Sequence, residues 1–349
     1  MVRLPDSITS LYNLQTLILS ECDCLRELPK DLGDLVNLRH LILPGKYPMM
    51  HKMPLQFGNL TNLQTLTEFS MGLHTSDSSS IRELRDLSQL RGTLRISKLE
   101  NVSNTGTDAM EANLKNKPHL RELGLCWSYY GSKDRFPDSR DEKVEESVLD
   151  QLQPHTNLEM LRIVNYGGAR FPSWVGHHSF SNLVAVILSS CHKCVVLPYL
   201  RQLPSLKHLM IDSCNAVKLT CNESYRDHSS VNKQFRSLET LVICVMTEWE
   251  DWSEVVEEEQ DGEEFPCLHK LTIRNCPKLR RVSHRFSSLG TMTIEKCNEL
   301  RELPKLLPSL QQLRIEKCEK LAVLPSFPSI QKLALEACHQ ITTLSSSDS

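Results

Sequence analysis

Apolar residues recur along the chain in a nine-residue pattern with aliphatic residues at positions 1, 4 and 6 and cysteine at position 9. The pattern occupies residues 14–22 and returns at residues 206–214, 268–276, 310–318 and 330–338. Its fourth and sixth positions alternate with mostly polar neighbours, as in a β-strand that buries one side only. The pattern therefore predicts one short strand in each copy, with two buried aliphatic side chains.

Related units occur from one end of the sequence to the other. When the first aliphatic residue of the strand is taken as the anchor, about thirteen units are recognisable, at Leu17, Leu41, Leu66, Leu94, Leu123, Leu161, Val186, Leu209, Leu241, Leu271, Met292, Leu313 and Leu333. The last four anchors are about 20 residues apart, whereas the spacing in the middle of the chain reaches 38 residues. The longer units must therefore contain insertions.

This consensus and most of these unit lengths are typical of leucine-rich repeats. Consecutive units stack because none can bury its apolar side alone. We therefore expect an α/β fold, a leucine-rich-repeat solenoid or horseshoe with a parallel β-sheet on the concave face and irregular or short helical segments on the convex side. We expect a single domain over residues 1–349, with insertions near residues 68–90, 127–152, 215–237 and 247–265.

Three segments between the strands have helical patterns. Apolar residues recur at intervals of three over residues 81–90, and residues 107–114 begin with a capping threonine and end before a proline. Residues 142–152 place Val144, Val148 and Leu152 on one helical face. We predict that all three segments are scaffold helices.

The chain has 13 cysteines, an odd number that cannot pair completely within one molecule. Seven of them occupy the ninth position of a repeat: Cys22, Cys191, Cys214, Cys276, Cys297, Cys318 and Cys338. A small thiol suits a buried packing site, so we predict reduced cysteines in an intracellular protein. Cys191 and Cys194 form a Cys-x-x-Cys pair, but no second pair follows at a matching interval, which disfavours a zinc site.

Charge and motifs exclude several classes of function. Lys and Arg number 40 against 43 Asp and Glu, which argues against a nucleic-acid partner. No apolar run approaches the roughly 20 residues of a membrane span, and no signal peptide is recognisable. Phosphate-binding loops and the common hydrolase motifs are absent. We expect a non-enzymatic cytoplasmic protein without cofactors, for which nuclear or peripheral membrane association is also possible.

The outward-pointing strand positions are the candidate contacts with a protein partner. Those selected on the concave face are Arg95, Arg162, Met210, Asp212, Lys270, Arg274, Glu295, Arg314, Glu316 and Glu336. Positive and negative residues alternate in the late units, a pattern that favours specific charge matching.

Residues 248–264 are a second candidate, because they contain ten acidic residues and no basic one. The simpler interpretation is a solvated acidic loop. The alternative is a docking strip for a basic surface, in which Trp249 and Trp252 are the anchors and Glu257, Glu258 and Glu259 provide charge.

Several stretches in order resemble one known family. Residues 59–69, 98–102, 111–115, 123–127, 152–155 and 166–174 look like successive blocks of the leucine-rich-repeat region of plant nucleotide-binding disease-resistance proteins of the coiled-coil class. The resemblance covers essentially the whole chain. The family's coiled coil and nucleotide-binding domain have no counterpart here, and residues 3–8 look like the tail of an earlier repeat. We therefore expect a truncated member or a fragment.

The resemblance implies protein recognition in plant innate immunity. Its implied partners are a pathogen effector, a host protein that is guarded, or the nucleotide-binding (NB-ARC) switch domain of a full-length relative, which the repeats would restrain. Two alternatives stay open. Substrate adaptors of ubiquitin ligases also use Cys-bearing leucine-rich repeats, and the chain could be a nonfunctional remnant or a decoy.

Overall fold

The computed structural model describes residues 2–45, 53–72, 79–102, 107–128, 140–217, 235–252 and 265–344. The chain divides into two compact units, residues 1–168 and 169–349. Repeats of the type predicted from the sequence make up both units. The expectation of a single domain over the whole chain stays a prediction.

Within its described residues, the first unit has seven strands in two parallel arrangements. The strands are β1 (Thr16–Ile18), β2 (His40–Ile42), β3 (Thr65–Leu66), β4 (Glu68–Ser70), β5 (Gly92–Ser97), β6 (Leu120–Cys126) and β7 (Met160–Val164). Strands β1 to β3 form one sheet, and β4 to β7 form the other in chain order. Buried side chains on one strand are normally two residues apart, but Leu66 of β3 and Phe69 of β4 are both buried and are three residues apart. One extra residue between β3 and β4 shifts the alternation, so that Leu66 aligns with Leu41 and Phe69 aligns with Ile96.

One α-helix, α1 (Glu142–Gln151), confirms the helix predicted near residues 142–152. The Asp141 side chain caps it by accepting a hydrogen bond from the Lys143 amide at 2.9 Å. Val148 and Leu149 are buried. The other helical segments of this unit are short 3-10 turns: Asp6–Ser10, Leu32–Asp34, Phe57–Asn59, Ile81–Leu84, Leu99–Asn101, Ala109–Ala112 and Leu114–Asn116.

The predicted helices over residues 81–90 and 107–114 are therefore wrong in type and length. Only Ile81–Leu84 is helical in the first segment, and turns follow it. In the second, Ala109–Ala112 is a 3-10 turn. In the first segment the physical reason is the spacing of three, because the 3-10 helix has three residues per turn whereas the α-helix has about 3.6.

Among the described residues of the second unit, seven strands lie side by side in a parallel sheet. Its strands are β8 (Ala185–Ser189), β9 (His208–Asp212), β10 (Thr240–Cys244), β12 (Lys270–Arg274), β14 (Thr291–Glu295), β15 (Gln312–Glu316) and β17 (Lys332–Glu336). Two short parallel pairs complete the unit, β11 (Asp251–Trp252) with β13 (Arg281–Val282) and β16 (Val323–Leu324) with β18 (Thr343–Leu344). The unit also has a 3-10 turn, Leu200–Gln202.

The anchor residues of this unit lie side by side across the sheet. From Val186 to Leu333, each anchor is in register with the anchor of the next repeat. All except Leu333 are buried. Full burial of such a side chain contributes roughly 1.5–3 kcal/mol, so stacking of the anchors is a main source of stability.

Every strand of this sheet is followed by a residue with positive φ. For all of the strands except β17, the amide of that residue donates one more backbone hydrogen bond to the neighbouring strand. The amide of Val245 donates to the Arg274 carbonyl at 2.8 Å, and the amide of Asn275 donates to the Glu295 carbonyl at 2.9 Å. The same hydrogen bond recurs after β8, β9, β14 and β15. The left-handed residue thus ends the strand without leaving its amide unpaired.

The repeat cysteines follow these left-handed residues. Six of them donate their thiol to the carbonyl two residues earlier at 3.3–3.6 Å: Cys191, Cys214, Cys276, Cys297, Cys318 and Cys338. Five of these six are buried, and every cysteine within the described ranges is a free thiol. The predicted packing role is confirmed for the five buried cysteines, whereas Cys22 and Cys338 are only half-buried.

Candidate protein-binding face

In each unit, the outward side chains of the strands form what we call the open face of that unit, in three rows that run across the strands. The first row precedes the anchor, the middle row lies between the two core positions, and the last row follows the second core position. In the second unit the middle row joins Met210 of β9 to Ile187 of β8 and Val242 of β10. The structure places all ten predicted contact residues on the open face, but their surroundings differ.

In the first unit, the stem of Arg95 lies beside the neighbouring strand β6. Gly124 is beside it in the middle row, and a Cβ atom at Gly124 would lie 3.4 Å from the Cγ atom of Arg95. The Arg95 stem and the Gly124 position are thus in ordinary van der Waals contact across the two strands. Glu68, in register with Arg95 on the other side, is buried and accepts a hydrogen bond from the Ser97 hydroxyl at 2.8 Å.

Two further residues define this part of the face. Cys126, beside the Arg95 guanidinium, is buried, and burial raises the pKa of its thiol. Arg162 is exposed in the middle row of β7 and forms no ion pair with any described residue. Arg95 is thus held in place by its neighbours, whereas Arg162 is available to a partner.

Five of the predicted contacts pair with one another. Arg314 lies 2.9 Å from Glu316, 3.2 Å from Glu336 and 3.8 Å from Glu295. Glu295 also pairs with Arg274 at 2.9 Å. The Glu316 hydrogen bond raises the pKa of Arg314, and the Arg314 hydrogen bond lowers the pKa of Glu316. The alternating charges of the late units therefore form an internal network over four strands.

Apolar residues dominate the middle row of β8, β9 and β10. Ile187, Met210 and Val242 are half-buried and adjacent in register. Asp212 follows in the last row of β9, where the hydroxyls of Ser189 and Ser213 donate to its carboxylate at 3.2 and 3.1 Å.

Cys244 occupies the last row of β10, between Asp212 and Arg274 in register. Burial, and then the negative charge of Asp212, raise the pKa of Cys244 to about 11. The thiol is therefore uncharged at neutral pH, and the charge of this edge comes from its neighbours.

The acidic segment does not have the tryptophan anchors that the sequence suggested. Trp249 and Trp252 are only 1% and 6% exposed. The Trp252 ring lies 5.4 Å from Trp249, 5.7 Å from Phe265 and 5.9 Å from Phe286. Both tryptophans belong to the aromatic core of the second unit, because burying the large apolar area of their rings stabilises the fold. Glu257, Glu258 and Glu259 lie outside the described residues.

Sequence reasoning missed two members of the apolar row, Ile187 and Val242. Both occupy the outward position between two core residues, so their place in the repeat was a signal that could have identified them. It also missed the buried lysine Lys117, whose ammonium donates to the carbonyls of Leu84 at 2.7 Å and Leu87 at 3.2 Å. No repeat pattern indicates this contact, which joins segments 30 and 33 residues apart.

The open face offers three kinds of non-covalent contact. They are charged side chains held by ion pairs, the Asp212 carboxylate held by serine hydroxyls, and an aliphatic surface. Within the described ranges, no group of three or more His, Cys, Asp or Glu side chains is arranged to hold a metal ion. In the same ranges, no helix has the length and apolar composition needed to cross a bilayer.

The stacked parallel strands, in-register anchors and short turns define a leucine-rich-repeat protein. Residues 81–214 match the family model of the R13L1/DRL21 leucine-rich repeats. A solved leucine-rich-repeat protein of Leptospira interrogans, LIC12759, aligns with a TM-score of 0.42 at 18% identity, covering 95% of this chain and 70% of that chain.

Over most of its length the chain is similar to plant disease-resistance proteins. It is 38% identical over 282 residues to At3g14460 of Arabidopsis thaliana, a candidate disease-resistance protein. The alignment covers 80% of this chain and 19% of that relative. It is 34% identical over 231 residues to the disease resistance protein RGA2 of Solanum bulbocastanum, and this alignment covers 65% of this chain and 22% of that relative. The chain thus spans about a fifth of the length of these relatives.

Proposed function

We propose that the chain is a non-enzymatic recognition module of plant innate immunity that binds a protein on its open face. The partner is a pathogen effector or a host protein that pathogens target. In a longer protein with a nucleotide-binding domain, the same repeats would also contact that domain and restrain it. We propose a cytoplasmic location, which fits the free thiols of the described cysteines.

The open face carries this proposal. Outward side chains on rigid neighbouring strands have fixed positions, which lowers the entropic cost of ordering them in a complex. Arg162 is available on the open face of the first unit, and Met210 and Lys270 are available on that of the second. Residues carried by strands are the kind that repeat proteins present to partners. The similarity to disease-resistance proteins over most of the chain supports the immune setting.

Partner capture with two matched variants tests the proposal. The chain is produced in leaf cells with a panel of secreted pathogen proteins and host proteins, and co-precipitation is measured. The face variant combines Arg162→Ala, Met210→Ala and Lys270→Ala. The control variant combines Lys115→Ala, Met110→Ala and Leu306→Ala, which are exposed outside the strands.

We expect the face variant to lose a captured partner and the control variant to retain it. Loss in the control variant alone would place binding outside the open face and overturn the proposal. Retention by both variants would do the same. Circular dichroism of each variant verifies that the fold is unchanged.

A further inference from the structure

The open face of the second unit has charges that the chain satisfies and charges that it leaves available. Arg274, Arg314 and three glutamates neutralise one another through the ion pairs described above. Asp212 and Lys270, in contrast, form no ion pair with any described residue, although serine hydroxyls hold the Asp212 carboxylate in place. A partner can therefore use these two charges without first breaking an internal pair.

The two available charges flank an aliphatic strip made by Ile187, Met210 and Val242. Asp212 belongs to the last row, whereas Lys270 belongs to the first row of β12, so they lie on opposite sides of the middle row. The strip thus has a negative edge and a positive edge. A complementary surface has an aliphatic ridge with a basic residue on one side and an acidic residue on the other.

The spacing of the strip favours a helix over an extended segment. Neighbouring strands are about 4.8 Å apart, so the strip is about 10 Å long from Ile187 to Val242. A helix that runs across the strands places residues i, i+4 and i+7 on one side over about 10.5 Å. An extended segment places residues on the same side about 6.8 Å apart, which does not match consecutive strands.

We propose that Ile187, Met210 and Val242, flanked by Asp212 and Lys270, dock an amphipathic helix of a protein partner. The aliphatic ridge of that helix packs on the strip, a basic side chain pairs with Asp212, and an acidic side chain pairs with Lys270. This inference rests on the proposed function and specifies the part of the open face and the chemistry of the partner.

Synthetic helical peptides test the inference on the full chain. The probe is a peptide of about 14 residues with leucines at i, i+4 and i+7, a lysine on one flank and a glutamate on the other. Two further peptides replace the lysine or the glutamate by glutamine, and a fourth has a central proline that prevents the helix. Binding is measured by fluorescence anisotropy.

We expect Met210→Glu to weaken binding of the first peptide at least about tenfold, because it places a charge in the apolar strip. The smaller change Met210→Ala should weaken it about threefold or more, and it serves if Met210→Glu does not fold. Leu306→Glu, at a residue 75% exposed outside the strands, is the matched control and should leave binding unchanged.

Charge pairing is tested by double-mutant cycles. Asp212→Asn should weaken binding of the first peptide several-fold but not of the peptide without lysine, and Lys270→Gln should show the same dependence on the glutamate. The inference would be overturned if the proline peptide bound as tightly as the first peptide, or if the substitutions at Leu306 and Met210 had equal effects. It would also be overturned by additive double-mutant cycles, or if no peptide bound at about 1 mM. If partner capture still depends on the open face, the proposed function stands without it.

Discussion

At the scale of single residues, the left-handed position after each strand is the feature with the clearest energetic consequence. In the second unit, side chains with a Cβ atom occupy it, among them Ser190, Asn275 and Lys296. Val245 stands out because it has φ 54° and a β-branched side chain. Such residues rarely adopt this conformation, since the Cβ atom approaches the following carbonyl.

Replacing Val245 by asparagine should therefore stabilise the chain by about 1 kcal/mol. The reciprocal change Asn275→Val, at the same position of the next repeat, should destabilise it by a similar amount and is the matched control. Urea denaturation measures both. Destabilisation by Val245→Asn would contradict the assignment of strain to this residue.

Lys117 is the second residue whose environment dictates a measurable property. Its side chain is buried and donates to backbone carbonyls at the end of a 3-10 turn. Burial lowers the pKa of Lys117 to about 8, below the ordinary 10.5. Between these values the unfolded chain binds a proton that the folded chain has lost, so stability from this group rises with pH.

The Lys117→Met variant should lack this rise. The free energy of unfolding of the native sequence should gain up to about 3 kcal/mol, relative to the variant, between pH 8 and pH 10.5. Denaturation series at neutral and alkaline pH measure the difference. Lys115→Met, at an exposed lysine of the neighbouring turn, should follow the native sequence. Parallel pH curves for the native sequence and Lys117→Met would refute the linkage.

At the scale of elements, the strand and the turn after it form one unit with three linked features. The strand provides two core residues, the left-handed residue extends the ladder by one hydrogen bond, and the cysteine thiol bonds to the carbonyl two residues earlier. Burial is the main cause that raises the pKa of Cys318 to about 12. These thiols are therefore poor nucleophiles in the folded chain.

Thiol labelling should separate the repeat cysteines from the exposed one. Cys24 is exposed, whereas Cys276, Cys297 and Cys318 are buried. We expect iodoacetamide to modify Cys24 at least about a hundredfold faster than these three in the native chain, and all four at similar rates in denaturant. Mass spectrometry of the labelled peptides measures each rate. Equal native rates would show that the ladder opens readily.

At the scale of the whole molecule, stability comes from contacts between neighbouring repeats. An anchor is fully buried only where its repeat has a neighbouring repeat packed on each side. The same kind of residue therefore contributes different amounts to the free energy of unfolding at different places in the array. Leu271 and Leu333 are anchors in the same register, yet Leu271 is fully buried and Leu333 is 45% exposed.

This difference predicts unequal costs for the same substitution. Leu271→Ala should destabilise the chain by about 2–5 kcal/mol, and Leu333→Ala by less than about 1 kcal/mol, because Leu333 has less contact to lose. Denaturation midpoints of the two variants give the comparison. Similar costs would mean that the anchors do not depend on their neighbours.

The sequence by itself determined the class of fold and the core. Thirteen anchors were identified from alternation and repetition, and those of the second unit lie in register as expected. The packing site of the cysteines followed from the same pattern. Both were predictable because strand alternation is local, and because one unit cannot bury its apolar side alone.

Only the tertiary structure decided which outward residues are available. Register places residues 20 or 21 positions apart on adjacent strands, where Arg314 meets Glu336 and Glu295. The sequence could not show that these charges pair while Asp212 and Lys270 form no ion pair with a described residue, nor that Trp249 and Trp252 are buried. Pairing and burial depend on distances between side chains from different repeats, and stacking of the repeats sets those distances.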